Sequence, residues 1–328
     1  MDKIEGPNIN TNSAKSNEKE NQRKIQIFNT VHRKKLWNFT YLSQNPALTW
    51  TIVRNNIDLP WNWHHLSANP CVTLDIVKDT LDNPKFSWSF FALSKNPNIT
   101  IDFIKEFGSQ RFEWFYISRN PSITWADVLN NPDLPWKYNG LSMNPNITWD
   151  IVIQNKNKPW VFPYLSKNPN VTYDIVMQNL EKDWDLFYLS KNKNISIKQL
   201  FKIQSIFKDY FDKRFKRLIC WPYVSQNEQT TKEVISSSSY YDLPWDWQEL
   251  SKNKNMDIAY IMQSDQLPWV LDHVCLNPNL NFSYIEKFPH GLFSENPYQN
   301  KDQNDKNDKK KKSTWNWDYL SQNPSIFS

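Results

Sequence analysis

Apolar and polar positions in this chain do not keep the period of one long helix or the alternation of a strand; they return as a block. The block places an aromatic residue, a second aromatic two positions on, and an aliphatic residue three positions after that. A serine follows directly, and two residues later an asparagine. The serines Ser43, Ser67, Ser94, Ser118, Ser142, Ser166, Ser190, Ser225 and Ser251, then Cys275 and Ser321, mark eleven units with a preferred step of 24 residues. The asparagine is constant: Asn45, Asn69, Asn96, Asn120, Asn144, Asn168, Asn192, Asn227, Asn253, Asn277 and Asn323. A period of this size implies small units that bury their apolar faces on one another.

With the serine as position 0, position −6 is tryptophan in nine units, with Phe112 and Ile219 in the other two, and position −4 is Phe, Trp, Tyr or Leu. This spacing predicts a short, 3₁₀-like first helix, and prolines such as Pro60 and Pro135 before the tryptophan suit its start. Prolines at +3, among them Pro46, Pro70 and Pro97, stop that helix. Thr49, Thr73, Thr100, Thr124, Thr148 and Thr172 at +6 are N-caps for a second, α-type helix, whose first turn gains Asp75, Asp102, Asp150 and Asp174. The expected fold is all-α, an α-solenoid of about 11 repeats. Helices packed about 8 to 10 Å apart would make it an array about 100 Å long.

The run Leu-Ser-x-Asn-Pro-x-Ile-Thr at 24-residue steps resembles the leucine-rich repeat variant over residues 36–326, most closely between Asn96 and Asn192. The resemblance implies alternating α and 3₁₀ helices in a right-handed superhelix. The aromatic pair before the serine departs from that family, and nothing here resembles its cysteine-rich cluster-binding segment. The Asn, Lys and Ile bias is also similar to repeat proteins of giant DNA viruses, which would imply host cytoplasm or virion.

Composition narrows the function. Four glycines leave little room for phosphate-cradling loops. Cys71, Cys220 and Cys275 are too few and too scattered for a disulfide framework or a structural zinc site. No apolar run approaches a membrane span, and the polar first 24 residues read as a disordered tail rather than a secretion signal, so a soluble intracellular protein is expected. Residues 25–328 form the repeat domain, interrupted by a helical insert around 200–219 and a polar, lysine-rich, disordered loop around 300–313.

Catalysis needs unlike residues converging at one place, whereas this chain repeats the same capping and packing residues. The reading is therefore a non-enzymatic scaffold or adaptor that binds a protein partner, with no cofactor, metal or membrane. The asparagine column is read as a structural ladder. Partner contacts are expected at variable positions, namely His64, His65, Lys137, Asn139, Gln248 and Glu249, and on the basic insert carrying Lys208, Lys213, Arg214, Lys216 and Arg217. Between Ser196 and Arg217 seven basic residues face two acidic ones, concentrating the positive field there. That helix makes nucleic acid an alternative, disfavoured because the tryptophans occupy fixed core positions. A second alternative is a self-assembling structural protein joined through its terminal repeats, because neither end shows a capping helix.

Overall fold

The computed structural model describes residues 11–33, 36–210, 219–237, 239–292 and 315–327. Among them every regular element is helical. The chain opens with α1 (Thr11–Arg33) and enters the first unit through α2 (Phe39–Leu42) and α3 (Trp50–Asn55). This alternation of a short first helix and a second helix runs to Trp317–Leu320.

Each first helix starts at position −4, two residues after the −6 position, and in seven of the eleven units the side chain at −5 caps it. Asn38, Asn62, Ser89, Glu113, Asp185, Asp246 and Asn316 all accept N–H bonds of the first turn through their side chains. The helix is a single α-turn that closes with i→i−3 bonds, Asn45 N–H to the Leu42 carbonyl in the first unit. The prolines before the tryptophan therefore lie in the preceding turn and not at the helix start. In the second helices Thr49, Thr73, Thr100, Thr124, Thr148 and Thr172 accept as N-caps, with a full capping box at Thr124 and Asp127.

Three sets of bonds join each unit to the one before it. The serine hydroxyl accepts the −5 N–H of the next unit: Ser118 Oγ takes the Lys137 N–H at 2.9 Å, Ser142 Oγ that of Val161 at 3.0 Å, and Ser166 Oγ, which takes that of Asp185, also donates to the Phe162 carbonyl of its own helix. The +2 amide donates backwards, Asn144 Nδ2 reaching the carbonyls of Ser118, Asn120 and Ile123 at 2.9, 3.0 and 3.1 Å. An asparagine at +4 does the same one step outward, Asn146 Nδ2 bonding the carbonyls of Pro121 and Ile123. These amides satisfy backbone acceptors that the sharp corner between two helices would otherwise leave open. Between them stand edge-to-face aromatic pairs linking position −4 to the next −6, such as Trp114 with Trp136 at 5.1 Å and 88°.

The ladder has no end. Asn45 Nδ2, in the first unit, donates to the carbonyls of Ser321 (3.0 Å) and Asn323 (2.9 Å) in the last. The Asn38 N–H donates to Ser321 Oγ at 3.1 Å, and Trp37 meets Trp317 edge-to-face at 5.9 Å and 89°. The last unit therefore stands before the first as unit 4 stands before unit 5, and the eleven units close into a ring. Its eleventh second helix comes from the other end of the chain. Against Pro324–Phe327 of the last unit packs α1. Trp37 Nε1 donates to the Phe28 carbonyl at 3.0 Å, as Trp136 Nε1 donates to that of Asn131.

Several expectations change with this geometry. Residues 11–24 are not a disordered tail but the first part of α1, whose C-terminal half buries Ile27, Phe28 and Val31 in the core that holds Ile326 and Phe327. The length of about 100 Å is a circumference, so the ring is about 30 Å across between first-helix axes. The stacking faces of the first and last units are packed against each other. The insert is helical over Ile197–Tyr210; its remainder and the 300–313 loop lie outside the described residues. Among the described residues no helix is long and apolar enough to cross a membrane.

Candidate binding wall on the first helices

Successive first helices make the closest backbone approaches between units. In a closed ring the elements packed closest lie on the inside of the curve, so the first helices form an inner wall and the second helices the outer rim. Positions −4, −1 and 0 of each first helix face the core, which leaves −3, −2 and +1 on the wall. Position −2 points at the preceding unit: a Cβ added to Gly140 would stand 2.6 Å from the Phe115 carbonyl oxygen.

The wall has a local pattern. In two places a cation at +1 lies over the aromatic ring at −2 of the next unit. Lys95 Nζ is 4.2 Å from the Tyr116 ring centre and 4.9 Å from that of Phe91, and Lys191 Nζ is 4.7 Å from that of Tyr223. Arg119 lies 5.8 Å from Phe115. The rings also touch each other along the wall, His64 stacking on Phe91, Phe91 meeting Tyr116 at 5.5 Å, and Tyr164 meeting Tyr188 at 5.8 Å. Lys95, Arg119, Lys167 and Lys191 have no carboxylate partner among the described residues. Burial, together with the charges of Lys191 and Arg119, holds the Lys167 ammonium below its ordinary value of 10.5.

Further round, the charges pair. Lys252 bridges to Glu249 at 2.8 Å and Lys254 to Glu228 at 3.1 Å, while Gln226 Nε2 donates to the Glu249 carboxylate. A cavity of about 270 Å³ at the junction of units 6, 7 and 8 is lined by Lys167, Lys191, Lys193, Tyr223, Gln226 and Glu228, among others.

The sequence-derived candidates are placed unevenly. His64, His65, Asn139, Gln248 and Glu249 occupy wall positions −3 and −2, but the histidines and the Gln248–Glu249 pair belong to units 2 and 9 and form no common cluster. Asn139 Oδ1 accepts the Gly140 N–H, and Lys137 stands at the cap position, off the wall. Lys208 lies on the backbone of Ile197–Tyr210, and its side chain, like Lys213, Arg214, Lys216 and Arg217, is outside the described residues. The eleven +2 asparagines are all buried. Cys275 replaces a ladder serine, its thiol meeting the Asn316 N–H, and burial pushes it up to about 11; Cys71 is pushed up to about 12. Both are poor nucleophiles. Among the described residues no three His, Cys, Asp or Glu side chains are grouped to hold a metal.

Two columns were passed over in sequence. Position +1 is basic in five of eleven units and −2 is tyrosine in six. The signal was present in the alignment of units on themselves, hidden by the stronger tryptophan column. Asparagine also recurs at +4, where it carries the outer ladder.

The chain matches no protein-family model, no curated protein and no solved structure.

Proposed function

We propose that this protein is a non-enzymatic binding ring that recognises a protein partner along the inner wall of its first helices. The observation that carries the reading is a division of labour. The residues that hardly vary between units, at −6, −4, −1, 0 and +2, are consumed by packing and inter-unit bonds, while the varying positions of the first helices, −3, −2 and +1, gather on one solvent-touching face. Phe91, 45 % exposed, is a large apolar side chain on that face. A row of differing side chains on a stiff frame suits recognition of one extended surface. The likeness of the units to the leucine-rich repeat variant is compatible with such a role.

A photo-crosslinking amino acid placed at Gln248 or His64 on the wall, or at Leu129 on the rim, tests it in the native host. Wall positions are expected to capture one shared protein that the rim position does not. Equal capture from both would overturn the reading.

A further inference from the structure

Deepening that reading, and resting on it, we infer that the arc of Lys95, Arg119, Lys167 and Lys191 is a docking track for an acidic, extended segment of the partner protein. Four cations from units 3, 4, 6 and 7 lie along one wall without a carboxylate among the described residues. Every other wall cation, Lys252, is already neutralised by its own unit. The track is oriented, because beyond Lys191 it meets Glu228 and Glu249, which an acidic segment would avoid.

The aromatic neighbours decide between an acidic peptide and a single-stranded nucleic acid. Base stacking needs open ring faces. Here one face each of the Tyr116, Phe91 and Tyr223 rings is taken by Lys95 or Lys191, Phe91 also stacks on His64, and Phe187 meets Tyr223 at 4.9 Å. A carboxylate reaches each ammonium from the solvent side without lifting it off its ring, so cation–π contact and ion pair add. The cavity beside Lys167, Lys191 and Tyr223 is lined by Lys193 as well, and its one carboxylate, Glu228, is paired with Lys254, so three cations are left to face a ligand there. Lys167 is half-buried and crowded by like charge, so a bound carboxylate relieves repulsion that the free ring carries.

The probes are a fluorescein-labelled deca-glutamate peptide, its deca-glutamine counterpart and a ten-nucleotide oligouridylate. Each is titrated with the full chain by fluorescence anisotropy at low and moderate salt. The glutamate peptide is expected to bind and to weaken steeply with salt, and the glutamine peptide not to bind. Lys167→Glu with Lys191→Glu should weaken binding about tenfold or more, and Lys167→Arg with Lys191→Arg should retain it. Should the reversal lower the melting temperature, Lys167→Gln with Lys191→Gln gives the same comparison with less repulsion. Tighter binding of the oligouridylate than of the glutamate peptide would overturn the proposal in favour of nucleic acid. Absence of binding by any probe would also overturn it, while the crosslinking outcome would still decide separately whether the wall is the binding face.

Discussion

The junction between units 4 and 5 and the seam between units 11 and 1 are built alike, yet only the first is covalently continuous. Asn144 bonds Ser118 and Asn120 at 2.9 and 3.0 Å; Asn45 bonds Ser321 and Asn323 at 3.0 and 2.9 Å. The serine bonds are 2.9 and 3.1 Å. The differences lie at the margins. Asn144 has a third acceptor in Ile123 where Asn45 keeps to two, as Asn69 and Asn120 do within the continuous chain, and the outer amide Asn146 has Ala47 as its counterpart. The seam adds an Asn38–Asp318 bond at 2.8 Å and the α1 helix. Chain continuity is thus not what holds neighbouring units together; the repeated amide geometry is, and the seam substitutes a borrowed helix for the missing peptide link.

The strongest way to break the parallel is to remove the borrowed helix. Deleting residues 1–33 uncovers Trp37, Ile326 and Phe327 and should open the ring, read as a larger radius of gyration in small-angle scattering and as association rising with concentration. An unchanged radius would mean that the seam closes without α1. Next is a matched pair of amide deletions. Asn144→Ala removes the amide that serves the Ser118 and Asn120 carbonyls, leaving that of Ile123 to Asn146, and should cost about 3 kcal/mol in denaturant unfolding. Asn45→Ala should cost less globally, because the seam can part, and should appear instead as faster amide exchange around residues 37–45. Equal losses at both sites would erase the distinction between seam and junction.

A smaller effect tests how tightly the continuous junction is packed. Gly140→Ala places a methyl 2.6 Å from the Phe115 carbonyl oxygen and should cost about 2 kcal/mol by overpacking, seen as a lowered thermal midpoint. The smallest concerns pH, to which these amide and hydroxyl junctions are indifferent. Burial first, then the charges of His64 and Lys95, hold the His65 imidazole below its ordinary value of 6.5. The folded chain then binds fewer protons than the unfolded one. That contribution to stability is full above about pH 6.5 and is lost as pH falls below it towards the folded value. His65→Gln should flatten the slope of stability between pH 7 and pH 5.

Much of the fold was legible in the residues. The serine and asparagine columns fixed the units, threonine marked the second helices, and tryptophan the core, because each satisfies a need that recurs locally. Closure was not legible in the same way. It depends on a small turn between successive units that must add up to a full circle, and no single residue encodes that sum. One trace existed: Ile27, Phe28 and Val31, ahead of the first unit, have the spacing of one face of a helix. Their polar surroundings led the stretch before them to be read as a tail. The wall was less legible still, since residues that differ from unit to unit form no column until the ring brings them to one face.

The split eleventh unit has a consequence for how this protein changes over generations. An open array tolerates duplication of a repeat, since one more unit merely extends it. A ring does not: a twelfth unit would leave the two half-units facing each other across a misfit unless every neighbour relaxed its angle together. Copy number here is effectively quantised, and new length is expected to enter as insertions within units, as the 35-residue step after Ser190 already illustrates.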